Sequence, residues 1–256
     1  MHRGDFYMTD LSCARLCAFS YIHLPAAITG NLPMKLPLVV RQLLADGFSA
    51  CDILDEETKR LLRALSDTLE TAQLRLVEYI DEQYASGFSA CVFLGRDGHV
   101  IAMRGSESKG PCAGNIDWID NFAAPIIGSR QYGDIERLLR GYGAGPLLIT
   151  GHSKGGHNAL YALANSPNIL ARAVAFNAQG FGRGQLTAAQ KQRLEARAVN
   201  YVTRGDIVGR LLTHPEKRIS VCSCPYLRAE ESGIEIAHRL GSLCFDPQGA
   251  LVFCAK

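Results

Sequence analysis

The sequence predicts an α/β fold on a mostly parallel sheet, and three observations carry that expectation. Short apolar runs alternate with helix-length segments from residue 88 onward, the order that builds parallel sheets. One run, residues 146–150, leads through Gly151-His152-Ser153-Lys154-Gly155 into a helix of small residues, so strand, sharp turn and helix follow directly. The 256 residues are 47% hydrophobic, enough to bury one large core without disulfide or metal staples.

From the N-terminus, residues 9–22 and 56–86 read as helices. Leu61, Leu62, Leu65 and Leu69, then Leu74, Leu76, Val77 and Ile80, recur at three-to-four spacing among charges, with Gly87 as the stop. A single domain over 1–256 is expected, with 1–85 a helical N-terminal extension or cap and 86–256 the core. Residues 88–94 and 99–103 alternate with period two around Arg96-Asp97-Gly98, a β-hairpin. Residues 105–145, rich in Gly, Pro, Ser and Asn, read as a long excursion over the sheet edge or a site mouth, with a helix near 135–142. After the strand-turn-helix unit come a buried strand at 171–176, a helix at 187–196 capped by Thr187, and a strand at 198–202 ending at Arg204-Gly205-Asp206. A strand-like 219–222, a loop carrying His238 and a hairpin of 243–245 with 250–253 complete the chain.

Charge and composition narrow the function. Lys+Arg 27 against Asp+Glu 25 gives +2, without the basic stripe that phosphate-backbone binding needs, so no nucleic-acid partner is expected. No apolar run approaches the roughly 20 residues of a bilayer span. The N-terminus lacks a continuous apolar segment with a cleavage site, and a cytoplasmic protein, or one exported without a Sec signal, is expected. Nine cysteines spread from Cys13 to Cys254 read as reduced core thiols; only Cys222-Ser223-Cys224 is a tight pair, and no second Cys/His pair supports zinc. No metal and no cofactor are expected.

Gly151-His152-Ser153-Lys154-Gly155 matches G-x-S-x-G, in which a nucleophilic serine sits on a strained strand-to-helix turn and the glycines let strand and helix approach. Such a serine needs a base, and the base an orienting carboxylate, in chain order Ser, acid, His. Asp206, past a strand at the Gly205 turn, is the candidate acid; a capping or turn aspartate is the other reading. Of seven histidines, His2, His23 and His99 precede the serine, and His152 and His157 flank it on its own turn. His214 follows Asp206 by only eight residues, so His238, after a further strand, is the candidate base; a surface or capping histidine is the alternative. The Lys154 N–H and Ser106, at the strand end Arg104-Gly105-Ser106, are candidate oxyanion donors, the alternative for Ser106 being a plain strand end.

Together Arg104-Gly105-Ser106, Asp117-Trp118 with Asn121, Gly151-His152-Ser153-Lys154-Gly155-Gly156 and Gly205-Asp206-Ile207-Val208 resemble the fungal-type, class-three lipase branch of the α/β-hydrolases. Its bacterial lipase-like members, with lysine after the serine, are most similar, and the likeness covers about residues 85 to 245. The resemblance implies Ser106 as second oxyanion donor, Asp117-Trp118 packed beside it and Asp206 as the acid. It implies an α/β-hydrolase fold. Lysine at 154, where leucine is commoner, adds a positive charge that would suit an anionic or phosphate-bearing substrate; a solvated side chain is expected.

The expected function is a serine carboxylic ester hydrolase, lipase- or esterase-like, acting through an acyl-enzyme on a small-molecule or lipid ester. Ser153, Asp206 and His238 are the expected catalytic residues. Trp118 and Phe122, with Ile119, Ile126 and Ile127, read as acyl-pocket or lid residues or as core. Phospholipase, thioesterase and acyltransferase chemistry would use the same triad. A non-catalytic binding protein on this fold and a thiol enzyme are the other classes.

Overall fold

A computed structural model describes residues 8–45, 56–66, 68–82, 84–106, 128–223 and 237–253. Among them eight strands form one sheet in strict chain order: β1 (Met34–Lys35), β2 (Arg75–Glu82), β3 (Phe88–Leu94), β4 (His99–Met103), β5 (Leu147–His152), β6 (Ala171–Phe176), β7 (Ala198–Thr203) and β8 (Lys217–Val221). β1 to β4 pair antiparallel, and β4 to β8 pair parallel. The helices are α1 (Asp10–Ser20), α2 (Ala26–Thr29), α3 (Leu36–Ala45), α4 (Glu56–Arg63), α5 (Leu69–Ala72), α6 (Tyr132–Arg140), α7 (Lys154–Asn165) and α8 (Ala188–Arg197).

This strand order decides where the helices lie. Parallel neighbours joined in sequence by right-handed crossovers put every connecting helix on one face. Ile135 and Leu138 of α6, Leu160 of α7 and Leu194 of α8 accordingly share a buried cluster with Ile101, Ile149 and Ala173. The alternate residues Ala102, Leu148 and Phe176 face the other side, which needs its own cover. Leu16 and Phe19 of α1, Val39 of α3 and Leu62 of α4 supply it, and the Phe19 and Phe93 rings meet edge to face at 5.5 Å. The expected N-terminal helical segment is therefore the third layer of the sandwich.

α1 has eight buried residues among its 11, and its two charged residues, Asp10 and Arg15, stay part-exposed. Its N-terminus is held by Thr9, whose Oγ1 accepts from the Ser12 N–H at 3.2 Å. Cys13 and Cys17 lie on it fully buried, and burial pushes the Cys17 thiol up to about 12.

One expectation fails. The stretch expected to continue a helix to residue 86 is helical only to Ala72; Arg75–Glu82 is strand β2, and Gly87, at φ 79°, turns the chain into β3 instead of ending a helix. The cause is a register shift between Leu76 and Glu78 against β3. A bulge places two consecutive apolar residues, Leu76 and Val77, in a strand, which breaks the period-two alternation and imitates helical spacing. The hairpin at 88–103, β6, the Thr187 cap and β7 stand where the sequence predicts them.

Candidate active site

Ser153 joins β5 to α7 with φ 58° and ψ −124°, a conformation that costs a non-glycine residue energy and is kept only where the surroundings impose it. Its N–H donates to Phe176 O at 2.9 Å, and its carbonyl accepts from the His157 N–H at 3.1 Å. The glycines beside it are required by close approach. A Cβ on Gly151 would stand 2.1 Å from Gly155 O, and one on Gly155 would stand 2.2 Å from Met103 O. Backbone at that distance cannot swing aside, so Gly155→Ala should destabilise the fold by about 2–3 kcal/mol. Thermal unfolding should show a midpoint lowered by roughly 5–10 °C; an unchanged midpoint would refute the packing argument.

The three candidate catalytic residues are linked. His238 Nε2 lies 2.9 Å from Ser153 Oγ, and His238 Nδ1 lies 2.9 Å from Asp206 Oδ1. Asp206 is 1% exposed, and its carboxylate also accepts the Gly209 N–H at 2.8 Å and the Val208 N–H at 3.2 Å. Those donors belong to the short 3-10 turn after β7, which follows Gly205 at φ 96°. The His238 ring keeps 27% exposure, open enough to exchange a proton with a bound molecule.

The backbone of His238 is held as firmly as its ring. Its carbonyl accepts from Asn177 Nδ2 at 3.1 Å and from His152 Nε2 at 2.7 Å, and Asn177 also donates to Ala237 O at 3.1 Å. A carbonyl can only accept, so His152 carries its proton on Nε2, and its Nδ1 accepts from the Tyr21 hydroxyl at 2.9 Å. Burial, then the neighbouring His238, pull the His152 pKa from 6.5 down to about 3.

That depression fixes a sign. The unfolded chain takes up a proton on His152 below about pH 6.5 while the fold refuses it until about 3, so stability falls as pH drops through that window. The full effect is on the order of 4–5 kcal/mol. His152→Gln should flatten the urea midpoint against pH between 6 and 4 relative to the parent; parallel curves would show that the ring titrates normally.

The oxyanion candidates flank the serine. Lys154 opens α7, where backbone N–H groups have no partner within the helix. Its side chain is 3% exposed and not solvated as the sequence suggested, because the close approach of α7 to β4 leaves it inside. Met103 pairs with Gly151, so the end of β4 and Ser106 run beside the elbow. Just before Ser106, Arg104 is buried with its Nη2 at 3.2 Å from Asp81 Oδ1. Asp81 also meets His23 Nδ1 at 3.2 Å and accepts from the Tyr79 hydroxyl at 3.0 Å. Burial works against its charge, but His23 and Arg104 outweigh it, and the carboxyl sits below its ordinary range. Trp118 and Phe122 lie outside the described residues, as do Asp117 and Asn121.

The remaining late histidine is occupied elsewhere: His214 Nδ1 lies 2.7 Å from Glu216 Oε1, and its Nε2 donates to Leu211 O at 2.9 Å. Sequence reasoning missed Tyr21, His152 and Asn177. Only the left-handed φ of 49° at Asn177, a conformation that favours asparagine, leaves any trace in residue type. Among the described residues, no group of three or more His, Cys, Asp and Glu could hold a metal, and no helix is long and apolar enough to cross a membrane.

Comparison with known proteins agrees with the fold. A family model described as Mbeg1-like matches residues 67–228. A mutant form of MDLA from Penicillium cyclopium superposes with TM-score 0.50 at 14% identity, over 87% of this chain and 82% of that one. A fungal lipase gives 0.51 at 12% identity, over 85% and 80%. The nonglycosylated LIP2 lipase of Yarrowia lipolytica gives 0.50 at 13%, over 95% and 83%. No curated protein matches significantly in sequence. The architecture is that of an α/β-hydrolase of the fungal-lipase type.

Proposed function

The chain belongs to the Mbeg1-like family, and on that premise we propose that it is a serine hydrolase of carboxylic esters. The observation that carries the reading is the unbroken hydrogen-bonded series from Ser153 Oγ through the His238 ring to the Asp206 carboxylate. Ser153 Oγ bonds to the acyl carbon while its proton passes to His238 Nε2, and Asp206 holds the ring and offsets its charge. The Lys154 N–H and Ser106 donate to the oxyanion. Collapse breaks the ester bond, and the departing alcohol takes the proton back from His238. Water then repeats both transfers and frees the serine. The buried cluster that joins the N-terminal helices to the sheet supports treating the chain as one catalytic unit.

A fluorophosphonate probe should label the folded protein once, on Ser153, and Ser153→Ala should abolish the label. Wild-type protein that stays unlabelled would overturn the reading and favour a binding protein on this fold. Among the described cysteines, Cys13, Cys17 and Cys91 are buried with their thiol pKa raised, which makes those three poor nucleophiles.

A second reading narrows the substrate. The segment after β7 exposes Arg204 and Arg210 together with Ile207, Leu211 and Leu212, around the turn that binds Asp206. Cations interleaved with apolar side chains suit an acyl ester or thioester whose other half bears phosphate. A rate series over neutral esters, phospholipids and acyl thioesters of equal chain length tests it, and equal rates on neutral and anionic members would dismiss it.

A further inference from the structure

We propose that Tyr21 and His152 are positioning residues that set the place of the His238 ring through its backbone carbonyl, making the N-terminal helical layer part of the catalytic machinery. The inference extends the serine hydrolase reading to residues outside the triad.

Three contacts carry it. The Tyr21 hydroxyl, just past α1, lies 2.9 Å from His152 Nδ1. His152 Nε2 lies 2.7 Å from the His238 carbonyl, and the two rings sit 5.1 Å apart. The path is buried at its start, Tyr21 being 8% and His152 6% exposed. His238 is helical and lies outside the strands of the sheet, and side-chain bonds tie it to them. The carbonyl also accepts from Asn177, which fixes the segment to the end of β6. His152 fixes it to the residue before the nucleophile. Serine and base are thereby held from the same strand end, and their 2.9 Å separation is set by β5 itself.

Tyr21 has a definite task in this arrangement. A neutral imidazole places its single proton on either nitrogen, and only the Nε2–H form can donate to the His238 carbonyl. A hydroxyl donating to Nδ1 selects that form. Without it the ring is free to adopt the Nδ1–H form, which turns a lone pair toward the carbonyl oxygen and releases the segment. The same hydroxyl closes over the strand end that leads to Ser106: a Cβ on Gly105 would stand 2.2 Å from it.

Tyr21→Phe keeps the ring and removes the donor. Turnover of a short ester and the rate of fluorophosphonate labelling should both fall about tenfold, with KM unchanged and thermal unfolding close to wild type. His152→Leu should lose about a hundredfold, as expected for a base displaced by about an ångström. His152→Gln, which retains an amide donor for the carbonyl and an acceptor for Tyr21, should recover most of that loss. Tyr21→Phe added to His152→Leu should cost nothing further, because the proposed effect of the Tyr21 hydroxyl passes through the imidazole. Full activity in Tyr21→Phe, or losses that multiply in the double variant, would overturn the proposal.

A 15N-histidine spectrum distinguishes its failure from failure of the hydrolase reading. A neutral Nε2–H His152 that changes tautomer in Tyr21→Phe supports the latch even in protein that cleaves no ester. An Nδ1–H His152 in the wild type overturns the latch whatever the labelling shows.

Discussion

Ser153→Ala should lower kcat/KM for short-chain esters by about 10⁵–10⁶, leaving a residual rate only about 10³–10⁴ above water. The expected loss is this large because, in the proposed mechanism, the hydroxyl oxygen is the one atom of the chain that bonds to the acyl carbon. The residual rate is expected because, in the proposed mechanism, the Lys154 N–H and Ser106 still stabilise an oxyanion formed by direct water attack. Folding should be preserved, since alanine leaves the φ 58° conformation as it is and removes no buried partner except His238 Nε2, whose ring is part-exposed. Adding His238→Ala should cost little more, because the pair acts as a unit. Steady-state kinetics on the single and double variants measure this; full multiplicative loss would show that His238 does not serve Ser153.

Asp206→Asn should lower kcat by about 10⁴. The amide keeps the volume, and its oxygen can still accept from the Gly209 N–H, but an NH₂ then faces His238 Nδ1 where a carboxylate oxygen accepts at 2.9 Å. The ring must turn its lone pair to that amide and its proton to Ser153, and a ring protonated on Nε2 cannot take the serine's proton. The defect is therefore in the proton transfer and not in binding, so KM should hold while kcat falls. Titration of acylation against pH checks it: recovery of rate at high pH, where hydroxide substitutes for the base, is expected, and a loss confined to KM would remove Asp206 from the role proposed for it.

The members of the site that a sequence reveals are those whose chemistry fixes their chain order and local setting. Ser153 needs glycines on both sides, Asp206 needs the end of a strand, and His238 needs a later connection; each leaves a pattern in residue type. Tyr21 and His152 leave none, because their contacts reach residues far off in the chain. Sequence elimination sets His152 aside as a base, and with it the contacts that the same ring makes. In the fold, regular period-two strands such as β3 and β4 were legible, whereas β2 was not, since the shift between Leu76 and Glu78 spoils its alternation. Lys154 was misjudged as solvated for a related reason: residue type favours water, and the approach of α7 to β4, which overrides it, is a tertiary fact.

The strict order of the sheet has a consequence for how the protein is born. Helices on one face come with their own crossovers, but the opposite face is covered by α1, α3 and α4, which leave the ribosome first and wait for Leu148 and Phe176 to be synthesised. Until then Leu16, Phe19 and Val39 have only the earlier strands, such as β3 through Phe93, to bury against, a partial exposure that lengthens with every residue between α1 and β6. Chaperone demand during synthesis should therefore fall once β5 and β6 have been made and the face is fully covered.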